Sequence, residues 1–185
     1  MKEQSECKML YSEDEYEACK KHYYEQIGPL LYVCKNPLGS KFRVDIFVIG
    51  PTTECPCQRL VTCGMGAIKM NIPKELQNIA YDRVEIIFTL PYGFAIKEED
   101  LNDETFFCPA FHMLLDIALT PYRGKLWLGP GHQIFYNGDC YENPDIEFVY
   151  FDAPHYPQSV QYIDLPNGKT VRLLEALPVF YLNIK

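Results

Sequence analysis

The chain has no apolar run of about eighteen residues, the length a helix needs to cross a bilayer, so no membrane span is expected. Its opening residues, Met1-Lys2-Glu3-Gln4-Ser5-Glu6-Cys7, are polar and lack the apolar centre of an export signal, which reads as a cytoplasmic protein. Basic residues are scarce: 17 Lys and Arg stand against 25 Asp and Glu, for a formal net charge of −8. Nucleic-acid binding needs clustered cations to displace counterions, so a nucleic acid is not the expected partner. A basic protein suits the charge better. The sequence also lacks a phosphate-binding glycine loop, a nucleophile with an oxyanion motif and a paired metal-ligand set, so no cofactor and no catalytic residue are expected.

Cysteine is present but in an unhelpful pattern for cross-linking. The eight are Cys7, Cys19, Cys34, Cys55, Cys57, Cys63, Cys108 and Cys140. In a small secreted domain an even number would suggest disulfides; here, at 185 residues and with no export signal, reduced thiols are expected. Cys55-Pro56-Cys57, with Cys63 six residues on, comes nearest to a metal cluster. Structural zinc sites use two paired ligand sets, and this arrangement offers less. Cys19 and His22 could add ligands from a helix, but two such residues on an exposed helix more often have no joint role. No metal is expected.

What the chain does have is apolar substance: 48% of its residues, enough for a core that needs no staple. No internal repeat, low-complexity tract or linker-like break divides it, so residues 1–185 read as a single domain. Ser12 with Glu15 forms a capping box and predicts a helix to about residue 26, stopped by Gly28-Pro29. Strands are expected at 30–34, 44–49, 59–63 and 84–90, with 44–49 central because it is apolar on both faces except at Asp45. A short helix is expected over 73–80, an acidic loop over 97–104, and a helix over 109–119 that ends at Thr120-Pro121. Further strands are expected at 125–128, 133–136, 146–151, 160–165 and 171–182. Pro166-Asn167-Gly168 makes a hairpin of the last two. Pro178 requires a bend or an edge position in the final strand. Helices interspersed with strands that also meet in hairpins give an α+β domain, a mixed β-sheet flanked by a few helices.

Four features could carry function. Asp45 is a charge inside a strand of Val, Ile and Phe, and it needs a partner such as Arg43, Arg59 or Arg83. His132 sits in the turn Gly129-Pro130-Gly131-His132 after the only Trp. It reads either as a site histidine beside Asp139 or Cys140, or as a turn residue that fixes its loop. His112 falls within an apolar helix and His155 in a loop. Lastly, Asp139, Glu142, Asp145, Glu147 and Asp152 fall within fourteen residues that hold no Lys or Arg, interleaved with Tyr136, Tyr141, Tyr150 and Tyr156. Glu98, Glu99, Asp100, Asp103 and Glu104 form a second group; neither has calcium-loop spacing. Such acids are either a solvated face or a surface that steers a basic partner, with Asp139, Tyr141, Glu142, Asp145 and Tyr156 as the candidate contacts.

The stretch Leu60-Val61-Thr62-Cys63-Gly64-Met65-Gly66-Ala67-Ile68-Lys69-Met70-Asn71-Ile72-Pro73 contains neither a general base nor a dinucleotide loop, yet its wording is distinctive. With 44–52, the strand and helix over 84–90 and 109–119, and Leu126-Trp127-Leu128-Gly129-Pro130-Gly131-His132-Gln133-Ile134, it resembles the suppressor of fused domain family. Residues 171–179 match that family's closing strand loosely, while its usual acidic ending is missing. The resemblance marks Asp45, Thr62, Gly64, Met65, Met70, Pro73, Trp127, Gly131 and His132 as structural motif positions. It implies an α+β sandwich that binds protein and is not an enzyme. In the animal signalling relative a second domain follows, and the two close on a peptide that joins as an extra strand. Stand-alone bacterial members look like immunity proteins that neutralise a toxin. The expectation is therefore an immunity-like protein whose acidic, aromatic face covers a toxin's basic surface. The alternatives are an adaptor that captures a peptide at a sheet edge and a hydrolase that uses His132.

Overall fold

Strands rich in Val, Ile and Phe build the frame, and everything else is laid against them. The computed structural model describes residues 8–9, 11–35, 42–77, 81–101, 108–124, 126–135, 146–155 and 160–180. Among these, strands β2 (Leu30–Cys34), β4 (Asp45–Ile49), β5 (Arg59–Cys63), β6 (Val84–Thr89), β7 (Gln133–Phe135), β8 (Ile146–Asp152), β9 (Tyr162–Asp164) and β10 (Thr170–Phe180) form one mixed sheet. Its order is β2-β4-β5-β6-β10-β8-β7, with β9 also on β10. Only β6 and β10 run parallel; the other pairs are antiparallel. Two short strands, β1 (Lys8–Met9) and β3 (Phe42–Arg43), pair apart from it.

The two faces of the sheet carry separate apolar clusters. On the first, Ile46, Val48, Leu60, Ile86, Val149, Phe151 and Leu174 pack against helix α3 (Pro109–Gly124). Phe111, Leu114, Leu115 and Ala118 of that helix are buried, each burial of a large apolar side chain contributing about 1.5–3 kcal/mol. On the second face, Phe47, Val61, Ile87 and Leu173 meet helix α1 (Glu13–His22). Its buried stripe, Cys19, Tyr23 and Ile27, follows the four-residue spacing of one helical side. The Ser12 capping box is made as the sequence requires: Ser12 N–H donates to Glu15 Oε2 at 2.8 Å, and Glu15 N–H to Ser12 Oγ at 3.3 Å.

Several boundaries differ from those the sequence suggests. The first helix loosens at Tyr23–Ile27 into a wider turn, closed by Gly28 N–H to the Tyr23 carbonyl at 3.0 Å. That turn seats Tyr23 and Ile27 together, with the Tyr23 ring edge-on to Phe47 at 5.4 Å. Helix α3 runs on through Pro121 to Gly124, past the stop that Thr120-Pro121 suggests. The helix expected over 73–80 is one tight turn at Lys74–Leu76, with 78–80 outside the described residues. A short helix, α2 (Glu98–Leu101), lies in the acidic stretch expected to be a loop. Residues 126–128 are not a strand: the Leu128 N–H goes to Met70 Sδ at 3.3 Å rather than to a neighbouring strand. Pro178 lies beyond the end of the β6 pairing and opposite Val149 of β8, the edge position that proline tolerates.

Candidate functional site

The distinctive turn after β5 has a structural explanation in one acid. Glu85 on β6 is wholly buried. Its Oε1 accepts from the Gly64 N–H at 2.9 Å, the Gly66 N–H at 2.8 Å and the Tyr11 hydroxyl at 2.8 Å. Its Oε2 accepts from the Thr62 hydroxyl at 2.7 Å, and Thr62 Oγ1 in turn accepts the Ile86 N–H at 2.8 Å. The turn is therefore an anion cradle, filled by the protein's own carboxylate. The glycines are needed for the close approach. A Cβ on Gly64 (φ 126°) would stand 2.6 Å from the Arg43 carbonyl oxygen, and one on Gly66 would meet the Tyr11 hydroxyl and Val171. Arg83 closes the far side, donating to the carbonyls of Gly66 at 3.0 Å and Ala67 at 2.6 Å. Burial pushes the Glu85 carboxyl up to about 7, against the downward pull of Thr62, Gly66, Gly64 and Tyr11.

Asp45, the other acid in an apolar strand, is satisfied differently. Arg43 grips it with Nε to Oδ1 at 2.9 Å and a terminal nitrogen to Oδ2 at 2.8 Å, and the Tyr16 hydroxyl adds a bond of 3.0 Å. Of the three arginines open as partners, Arg43 takes the role. Arg59 is buried and donates to the Gly50 carbonyl, and Arg83 serves the Glu85 turn. Burial raises the Cys63 thiol well above its ordinary value, with a hydrogen bond to Cys19 adding to it, so Cys63 faces the first helix while Cys55 and Cys57 lie half-buried in a loop. Among the described residues, no group of three or more His, Cys, Asp or Glu is placed to hold a metal.

The two most distinctive segments meet at Met70, whose sulfur accepts from Leu128. Pro73 starts the tight turn that follows, with Leu76 N–H to its carbonyl at 3.0 Å. Met65 and Met70 are both buried in the α3 side of the core. His132 folds back on Trp127: its ring lies 4.2 Å from the indole, and Nδ1 bonds the Trp127 carbonyl at 3.1 Å. Gly131 (φ 86°) turns the chain there, its N–H reaching the Phe151 carbonyl at 2.8 Å. These contacts hold His132 against its own turn, while Asp139 and Cys140, the neighbours that the site reading names, lie outside the described residues. Trp127, Leu128, Pro130, Leu76, Tyr81 and Arg172 border a cavity of about 120 Å³. That suits one side chain, against the roughly 300–1,000 Å³ of small-molecule sites.

One polar cluster escaped the sequence reading. Glu175 on β10 accepts the Thr89 hydroxyl at 3.2 Å and faces the His155 ring at 3.3 Å. The carboxylate stands between hydroxyl and imidazole, whereas proton removal from a hydroxyl nucleophile requires the imidazole in the middle. Both Glu85 and Glu175 carried the same signal as Asp45, an acid inside an apolar strand run, and could have been found by it. The partner-contact candidates Asp139, Tyr141, Glu142, Asp145 and Tyr156 lie outside the described residues.

The class these features define is an α+β module with a mixed sheet, whose distinctive residues build the fold. A model of the suppressor of fused protein family matches residues 41–181, and the chain belongs to that family. The crystal structure of Drosophila Suppressor of Fused is similar at a TM-score of 0.50 and 14% identity, over 89% of this chain and 41% of that one. The chain thus spans less than half of that protein, and the likeness is one of fold. No curated protein matches the sequence. Family membership supports a protein-binding, non-catalytic role. Among the described residues, no helix is long and apolar enough to cross a membrane.

Proposed function

We propose that this chain is a non-catalytic protein-binding domain that neutralises a toxin by covering its basic active surface. The observation that carries the reading is the distribution of charge on a family member of this kind. Residues 126–168, which supply β7, β8 and β9, contain six acids and not one Lys or Arg. A stretch so one-sided in charge would steer a cationic protein at long range and repel acidic ones. The experiment is co-purification from the native host, followed by binding kinetics at several salt concentrations. Glu142→Lys with Asp145→Lys lowers the association rate and flattens its salt dependence. An association rate indifferent to both reversals sinks the steering mechanism.

A second reading has its own observation. β2 lies at the sheet edge, bonded only to β4 among the described strands, with Leu31 40% exposed. An extended peptide could add there as a further strand. A partner whose affinity collapses when Leu31 is replaced by Pro, and ignores the charge reversals, favours that reading. Hydrolysis by His132 is disfavoured by its bond to Trp127; loss of a measured turnover on His132→Ala in a folded protein would restore it.

A further inference from the structure

We propose that the cavity between Arg172 and Trp127 receives one carboxylate side chain, a Glu or Asp of the protein partner. The proposal rests on the protein-binding reading above and names one contact within it. The residues that border the cavity all lie within the described residues. Val84, Leu128 and Gly129 are buried there, whereas Tyr81 and Pro130 are exposed.

The donor is Arg172. Register places it on β10 opposite Val84 of β6 and Tyr162 of β9. Its neighbours Val171 and Leu173 are buried on the α1 side of the sheet, so by alternation Arg172 points to the α3 side. Its guanidinium carbon lies 5.8 Å from the centre of the Tyr81 ring and 5.9 Å from that of Tyr162. Contact with ring faces uses the charge but occupies none of the N–H donors in the guanidinium plane. Nε is buried and has no hydrogen-bond partner among the described residues. None of the ion pairs formed among those residues includes Arg172. A buried donor without an acceptor is costly, and an oxygen delivered to it restores the bond.

The remaining wall selects the occupant. The Trp127 indole is seated over Gly129, where a Cβ would come within 2.8 Å of the ring. Leu76, Val84 and Leu128 add apolar lining, which suits the methylene groups of a short stem. Arg172 is the only charged residue at the border, so the cavity offers one cation to one negative charge. A phosphate dianion would keep half of its charge unmatched. The volume of about 120 Å³ takes a side chain and falls short of the roughly 300 Å³ at which small-molecule sites begin. A carboxylate on a short stem, carried by a protein, meets all of these conditions. A basic protein can present one such acid, so this contact is separate from long-range steering.

The test reads the indole N–H signal of Trp127, the only Trp of the chain, in the ¹⁵N-labelled protein. The probes are propionate, which copies a Glu side chain, its neutral isostere propionamide, inorganic phosphate, and a capped alanine peptide with one central Glu or Gln. Chloride keeps the ionic strength constant. Propionate and the Glu peptide should shift the signal saturably, about tenfold more tightly than propionamide and the Gln peptide. Arg172→Met, which keeps the stem and drops the charge, should remove this preference for acid over amide. The comparison of acid with amide in the unaltered protein stands even if that variant fails to fold. No saturable shift, equal affinity for acid and amide, tighter binding of phosphate, or an acid preference that survives Arg172→Met in a folded protein would each overturn the proposal. Propionate binding without Glu peptide binding would also overturn it, marking a site for a free carboxylate. A natural partner whose affinity ignores Arg172→Met overturns it as well, while leaving the protein-binding reading intact.

Discussion

Replacing Glu85 by Gln asks whether burial or hydrogen bonding governs the acid at the centre of the distinctive turn. Burial raises its carboxyl from an ordinary 4.5 to about 7. Because the folded value lies above the unfolded one, the folded protein binds this proton more tightly. The contribution to stability is therefore largest below pH 4.5 and is lost as pH rises to about 7. At ~1.4 kcal/mol per pH unit, the loss is about 3 kcal/mol. Oε1 already accepts three donors, so the proton belongs on Oε2, where Thr62 Oγ1 can accept it and turn its own hydrogen toward the Ile86 carbonyl 3.5 Å away. Glutamine copies that neutral arrangement at every pH. Urea unfolding followed by the fluorescence of Trp127, from pH 4 to 8.5, should show a stability difference that moves by about 3 kcal/mol in favour of Glu85→Gln between pH 4.5 and 7. A flat difference, or one that moves toward the wild type as pH rises, would mean that the four donors outweigh burial and that the acid is ionised.

Three further outcomes are expected. Gly64→Ala, which places a Cβ 2.6 Å from the Arg43 carbonyl oxygen at a φ of 126°, should cost about 2–4 kcal/mol in denaturant unfolding. Glu15 is partly desolvated, which raises its carboxyl, yet the Ser12 N–H, Lys169 and Asn167 together hold it at about 2. Its contribution is thus present above pH 4.5 and lost as pH falls toward 2, so Glu15→Gln should cost about 1–2 kcal/mol at pH 7 and almost nothing near pH 2. His132→Ala should shift the Trp127 emission and cost about 1 kcal/mol in urea unfolding, without weakening the partner complex.

Strand positions were legible because their β-branched content and apolar faces are local properties: 44–49, 59–63 and 84–90 fall in one sheet as the sequence requires. The hairpin at 166–168 was legible for the same reason, its turn closed by Gly168 N–H to the Leu165 carbonyl at 3.0 Å. Segment 125–128 misled because Leu126-Trp127-Leu128 has the apolar content of a strand, while its one decisive bond runs to a methionine 58 positions away. Local pattern carries no information about such a partner. Asp45 was singled out as a buried charge, and Glu85 was passed over although the same argument applies. The pairing of Asp45 with Arg43, two residues along, was within reach of the sequence. The cradle around Glu85 joins Tyr11, Thr62, Gly64 and Gly66 from separate elements and becomes visible only when they are folded together.

The position of β10 governs the order in which this protein can be made. The ribosome delivers that strand after the nine other described strands, yet it lies between β6 and β8 and holds the two halves of the sheet together. Until residues 170–180 emerge, the β2-β4-β5-β6 meander, whose neighbours follow closely in sequence, can form with β6 as an open edge. The β7-β8 hairpin waits with a second open edge at β8. Closure then comes in one event once residues 170–180 have emerged, when a single strand satisfies both edges, and stalled chains lacking it should be the protease-sensitive and chaperone-bound form.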